Sequence, residues 1–277
     1  DPFQPDIYHH LAMAYGRNGM VKEGTEALEN ALINRPGDIS LIDKLAQVYL
    51  QQNQMDKLQE LFEYTESITL PPSASLSNLR GVYLGKLGKN EEAFAEFTKA
   101  VEIDSTYPAT LGNIISLGIF LNKIDETIKH LNLALKLNPN NTEYRKNLGE
   151  LYAQKGLFDD SVAEFNQIAQ LDPNKQIECW DAIGRIYMVK NDMDNAMLYF
   201  KKAIELGPSN AELLNNLGTV YAQKGLYNES ILEINNALAL KPEDITFQGN
   251  LAKIYFTQGN LSEAERIFNN ILKLNAN

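Results

Sequence analysis

The sequence predicts an all-α protein, a solenoid of eight stacked antiparallel helix-turn-helix hairpins, on three observations. The first is a repeat at a spacing of 34 residues. Trp180, Ile183, Gly184 and Tyr187 recur as Leu214, Leu217, Gly218 and Tyr221, and earlier as Arg145, Leu148, Gly149 and Tyr152. The second is the spacing inside each copy, i, i+3, i+4, i+7, which is one stripe of an α-helix. The third is a Gly or Asn after each stripe, at Gly19, Asn53, Gly88, Asn122, Gly156, Asn191, Gly225 and Gly259. These residue types accept the left-handed backbone that ends a helix.

The first helix of each hairpin carries an aromatic rung: Tyr15, Tyr49, Tyr83, Tyr152, Tyr187, Tyr221 and Tyr255, with Gly118 in the fourth copy. The second helix runs small, large, small, as in Ala93–Phe97–Ala100, Ala196–Phe200–Ala203 and Ala264–Phe268–Ile271. Small residues at Gly149, Gly184 and Gly218 let the paired backbones approach. Pro36, Pro139, Pro173, Pro208 and Pro242 stop second helices. Ser262 followed by Glu265 reads as a capping box. Glu91-Glu92 and Asp159-Asp160 open second helices, where they favour the helix dipole.

This pattern resembles the tetratricopeptide repeat (TPR) family along essentially the whole chain. Trp180 to Tyr187, followed by Ala196, Phe200, Ala203 and Pro208, nearly completes the family motif. The resemblance implies one right-handed superhelical domain, with repeats at about 5–38, 39–72, 73–107, 108–141, 142–176, 177–210, 211–244 and 245–277. Two one-residue slips are placed between Tyr83 and Gly88 and between Pro173 and Trp180. The second and fourth repeats match least, through Leu58, Ile115 and Gly118, and a kink is expected there. Such hairpins bury their stripes only by stacking. The last helix has no polar cap, and Asp1-Pro2 reads like the end of an earlier repeat. The chain is therefore expected to be a fragment, or to self-associate through its ends.

Composition narrows the function. The chain has 277 residues, 44% of them hydrophobic, and a net charge of −11. Lacking a basic block, it is not expected to bind nucleic acid, which requires cations that neutralise phosphates. Its longest apolar stretch, Ile114 to Leu121, is too short for membrane insertion. A single cysteine, Cys179, excludes an internal disulfide and suits a reducing compartment, so a cytoplasmic location is expected. No catalytic residue, cofactor or metal site is expected. His9 and His10 point about 100° apart on a helix, His130 lies in another repeat, and Cys179 has no histidine nearby.

The expected function is therefore a non-enzymatic scaffold that binds a protein or peptide in the concave groove which the family's first helices line. The family places groove residues at the second, fifth, sixth, ninth, twelfth and thirteenth positions of each repeat. The sixth reads His10, Lys44, Asn78, Asn113, Asn147, Ala182, Asn216 and Asn250. Amides both donate and accept, so such a row suits a peptide backbone. It resembles the asparagine ladder in the repeat region of O-linked N-acetylglucosamine transferase. Glu143, Glu150, Glu178, Asp181 and Glu212 outnumber Lys146 and Arg185, which would favour neutral or basic peptides. Ile119, Phe120, Met188, Val189 and Phe256 offer pockets or packing between hairpins. The chaperone-tail clamp of the family is not expected: Lys146 is followed by Glu150 and Ala182 where asparagines belong. Two alternatives stand beside the scaffold. One is the substrate-recruiting region of a larger enzyme such as a glycosyltransferase; the other is a self-assembling structural module.

Overall fold

Five of the described first helices start where a short polar side chain takes up orphan backbone N–H groups of the opening turn; Tyr107 and Lys175, which precede two others, give no such cap. In the computed structural model Asp38 accepts from the amides of Ser40 and Leu41, Ser73 from Leu76, and Asn141 from Glu143 and Tyr144. Asn210 and Asp244 cap later first helices in the same way. The structure describes residues 20–207 and 210–274, with Leu11, Ala14 and Tyr15. Gly19, Pro208, His9, His10 and both chain ends lie outside them.

The described residues form fifteen α-helices and two compact units. The N-terminal unit, ending at Leu137, contains α1 (Val21–Asn34), α2 (Ile39–Gln51), α3 (Met55–Ser67), α4 (Ala74–Lys86), α5 (Asn90–Ile103), α6 (Pro108–Phe120) and α7 (Ile124–Leu137). The C-terminal unit, from Asn138, contains α8 (Thr142–Gln154), α9 (Phe158–Leu171), α10 (Gln176–Val189), α11 (Met193–Leu206), α12 (Ala211–Gln223), α13 (Tyr227–Leu240), α14 (Ile245–Thr257) and α15 (Leu261–Leu274). Even-numbered helices are first helices, and each pairs with the odd-numbered helix after it. The architecture is an all-α TPR solenoid.

The turn residues behave as expected. Asn53, Asn122 and Asn191 have φ of 55–58°, and Gly88, Gly156, Gly225 and Gly259 have φ of 75–79°. Second helices end before Pro36, Pro139, Pro173 and Pro242. The capping-box reading is corrected: Asn260 is the acceptor for the Glu263 amide, and the Ser262 hydroxyl donates to that same Asn260 side chain. Asn260 precedes the helix, so Ser262 lies already inside its first turn.

Close approach within a hairpin is a ring lying over a glycine. A Cβ placed on Gly184 would fall 2.6 Å from Phe200 Cε1, and one on Gly81 2.5 Å from Phe97 Cε1. In two hairpins the small residue of the second helix is a serine. Ser161 Oγ donates to the Gly149 carbonyl and Ser230 Oγ to the Gly218 carbonyl, both at 2.6 Å and both buried.

Gly81 corrects the register of the third repeat. It faces Phe97 as Gly184 faces Phe200, and the Lys89 amide donates to Leu84 as the Asp192 amide does to Tyr187. Leu84, not Tyr83, is the rung. The extra residue therefore lies before this helix, in the segment 68–73, not between Tyr83 and Gly88. Tyr83 instead enters the core, edge-on to Phe62 at 5.4 Å. The other slip is absorbed by a short 3-10 turn at Pro173–Lys175.

Of the hairpins described in full, the second and fourth are the more open, α2 against α3 and α6 against α7. Fully buried Leu58 stands where the other hairpins have Gly, Ala, Ser or Thr, and it holds α3 away from α2. In the fourth, bulk and gap have changed places. Ile115 is buried where the third, fifth, sixth and seventh hairpins have glycine, and the close approach moves one turn along the helix to Gly118. A Cβ on Gly118 would fall 2.1 Å from Thr127 Oγ1.

Candidate functional site

The asparagines on the first helices do not form a single row of free amides. They form a bond between neighbouring repeats, from a sixth-position donor to a fifth-position acceptor 35 residues earlier. Asn113 Nδ2 donates to Asn78 Oδ1 at 2.9 Å, Asn216 Nδ2 to Asp181 Oδ1 at 3.3 Å, and Asn250 Nδ2 to Asn215 Oδ1 at 2.9 Å. Asn78 is thus an acceptor one register position before the donors, and it is buried, with Thr110 Oγ1 donating to it as well at 3.2 Å. Its place among the peptide-facing amides is corrected by the same extra residue that displaces Tyr83. In the second repeat the equivalent acceptor is Asp43, and the donor slot facing it holds Leu79. Asp43 Oδ1 is accordingly buried without a partner.

Asn113, Asn216 and Asn250 are half-buried, and each inter-repeat bond uses one of two amide hydrogens. The second hydrogen and the carbonyl are left for other partners. Asn147 is half-buried too and makes no side-chain hydrogen bond among the described residues. Asn215 was not legible as a site residue, because its neighbour Asn216 occupies the groove position; the i, i+35 relation to Asn250 is the signal that finds it.

Charges on this face are largely neutralised. Lys146 Nζ lies 2.6 Å from Glu178 and Arg185 Nε 3.3 Å from Asp181 Oδ2, while Glu212 pairs with Lys241. The hydrogen bond to Glu178 holds the Lys146 pKa above its ordinary value. Among the described residues Glu143 and Glu150 keep no ion pair, so the wall is less acidic than its composition suggests. Burial raises the Asp181 carboxyl above the usual range, and Arg185 and Asn216 only partly oppose it. The folded protein therefore holds that proton to higher pH than the unfolded chain. Stability is lost as pH rises from the ordinary 3.8 through the raised value. Asp181→Asn keeps the acceptor for Asn216, as Asn215 does for Asn250. It is expected to raise the melting temperature at pH 7, with the gain shrinking towards pH 3; an equal shift at both pH values would contradict this account.

The apolar candidates divide. Phe120 and Val189 are each 72% exposed and Phe256 62%, whereas Met188 is half-buried against Phe200 and its neighbours. Between α8 and α10 lies a recess of about 360 Å³ bounded by Lys146, Glu150, Ala153, Arg185, Ile186 and Val189. It gathers four of the charged residues singled out in the sequence, Lys146, Glu150, Glu178 and Arg185, whereas Asp181, paired with Arg185, is not part of its lining. A second recess, about 220 Å³, contains Asn250 and Lys253 between α12 and α14. In the N-terminal unit a recess of about 500 Å³ lies on the second-helix side, walled by Leu32, Leu45, Tyr49, Leu61 and Tyr64, where Leu58 spreads the hairpin. Nothing in the sequence pointed to it.

Cys179 is buried and its thiol pushed up to about 11, chiefly by burial, which makes it a poor nucleophile. His130 is buried edge-on to Phe94, and burial lowers its pKa. No helix of the described residues is long and apolar enough to cross a membrane.

Comparison with known proteins agrees with this geometry. TPR models match residues 74–107, 121–186, 184–225 and 215–277. The chain is 34% identical over 97 residues to BBSome complex member BBS4 of Bos taurus, a match covering 35% of this chain and 18% of that protein. The chain thus spans about a fifth of the length of that curated relative. Among solved structures, a chain of Naa15/Naa10 bound to HypK-THB superposes with a TM-score of 0.72 at 12% identity, over 90% of this chain and 39% of that one. YrrB, described as a TPR protein with an unusual peptide-binding site, gives 0.50 at 17% identity, over 64% of this chain and 91% of its own. The chain belongs to the tetratricopeptide-repeat family.

Proposed function

We propose that this chain is a protein-interaction scaffold whose first-helix face, between α8 and α10, receives an extended peptide segment of a partner. The observation that carries it is the recess itself: an apolar floor, a rim of paired charges, and two groups left over. Glu150 has a carboxylate without an ion pair among the described residues, and Val189 stands 72% exposed beside the apolar floor. A concave apolar patch rimmed by a few polar groups is the usual form of a binding site. Asn147, Asn216 and Asn250 supply amide groups on the same face, which pair with backbone whatever its side chains. Relatives support the coarse reading, since BBS4 is a BBSome complex member and YrrB carries a peptide-binding site.

The test is capture from source-cell lysate by three proteins. They are the wild type, a Glu150→Lys/Val189→Asp variant, and an Ile33→Ser control on a second helix, where Ile33 is 75% exposed. All three substitutions fall on exposed side chains, so folding should be unchanged by circular dichroism. A partner retained by the control and lost by the double variant supports the groove. A partner lost only by the Ile33 variant transfers binding to the second-helix side and overturns the proposal.

A further inference from the structure

The two recesses described in the C-terminal unit share one lining pattern at an interval of two hairpins. Ala153, Phe158 and Phe165 in the first correspond to Ala222, Tyr227 and Ile234 in the second, each pair 69 residues apart. On the facing helix Arg185, Ile186 and Val189 correspond to Lys253, Ile254 and Thr257, each pair 68 residues apart. The one-residue difference is the 3-10 turn at Pro173–Lys175.

At the interface between them, α10 against α12, the same positions carry larger, flexible side chains. Met188 stands where Ala153 and Ala222 do, and Met193 stands where Phe158 and Tyr227 do. Both methionines pack against the core that contains Phe200 and Val220. A thioether chain adapts to an irregular gap and closes it. Ala, Met, Ala at one repeat position therefore gives open, filled, open along the face. Ala182, which breaks the row of asparagines, lines the first opening at the position where Asn250 lines the second.

We propose that the pair is a two-point site for a single extended segment of a partner protein, with one apolar side chain entering each recess. The inference rests on the groove reading above and specifies its ligand. Neighbouring packed helices lie about 10 Å apart, so two repeats advance about 20 Å. A segment in the extended polyproline II conformation rises about 3.1 Å per residue with three residues per turn, which sets the two anchors about six residues apart on one face. The side chain midway between them passes over Met188. Charge sets the flanks. Glu150 borders the first recess and Lys253 the second, and neither makes an ion pair among the described residues. The segment carries a basic residue beside its first anchor and an acidic one beside its second.

The probe is a set of fluorescein-labelled twelve-residue peptides, each with two leucines in a polar background. Their spacing is three, six or nine, Lys and Glu flank the two leucines, and both chain directions are made. Binding is read by fluorescence anisotropy. Burying one leucine is worth about a power of ten in affinity, so the six-spaced peptide should bind about tenfold tighter than the others. Ala153→Met and Ala222→Met, which copy Met188, should each remove that advantage. Met188→Ala, which opens the middle position, should bring the three-spaced peptide up to the six-spaced one. Equal affinity for all spacings, with binding still abolished by Val189→Asp, would overturn the two-point arrangement and leave the groove reading intact. Absence of binding by any peptide would count against both.

Discussion

Phe200→Ala is expected to lower the unfolding free energy of the C-terminal unit by about 3–5 kcal/mol, the cost of emptying a large aromatic site in a close-packed core. The ring is fully buried and lies over Gly184, so the cavity has helix backbone on one side and cannot collapse by side-chain movement alone. Chemical denaturation followed by circular dichroism reads the loss. Gly184 supplies a stricter check on the same contact. Gly184→Ala puts a Cβ 2.6 Å from the Phe200 ring and should cost about 1–3 kcal/mol in the wild type. In a Phe200→Leu background the penalty should fall, because the smaller side chain vacates that space. Additive losses in the double variant would show that the glycine is not kept by the ring.

A second large effect divides one helix into two signs. In α6, Gly118→Ala would drive a Cβ to within 2.1 Å of Thr127 Oγ1, whose hydroxyl is itself bonded to the Lys123 carbonyl at 2.7 Å. A destabilisation of about 1–3 kcal/mol is expected, and more for Gly118→Val. Six residues earlier, Gly112 has nothing within 4 Å of an added Cβ. There Gly112→Ala should stabilise by about 0.5–1 kcal/mol through lower backbone freedom in the unfolded chain. Thermal melts of the two variants side by side should move in opposite directions. Movement in the same direction would mean that the fourth hairpin is not built on the exchange of Ile115 and Gly118.

The hairpins, their turns and their stops were legible because each depends on local chemistry. Asn53, Asn122 and Asn191 could be read as turn residues without knowing any neighbour, since the left-handed backbone they adopt is a property of the residue type. The third repeat was misread for the converse reason. Tyr83 and Leu84 are both large and apolar enough for a rung, and only the approach of Phe97 to Gly81 decides between them. That one-residue ambiguity carried Asn78 from the acceptor row into the donor row. The recesses were illegible from single positions, because an alanine at a groove site means an opening only when its counterparts are methionine. Asp181 looked like part of an acidic wall, yet its charge is answered by Arg185 and its oxygen by Asn216. The sequence alone does not say which carboxylates have partners a repeat away.

The 35-residue reach of the amide bonds between repeats also bears on how the chain finds this structure. Loop-closure entropy grows only with the logarithm of the chain segment that must be closed. Every such bond closes the same short segment, whether it joins the third hairpin to the fourth or the seventh to the eighth. The conformational search at each step is therefore independent of how much chain has been made. Folding dominated by such local closures belongs to the fast regime of topology. A hairpin leaving the ribosome needs only the one before it in order to dock, so synthesis and stacking can proceed at the same pace from the amino-terminal end.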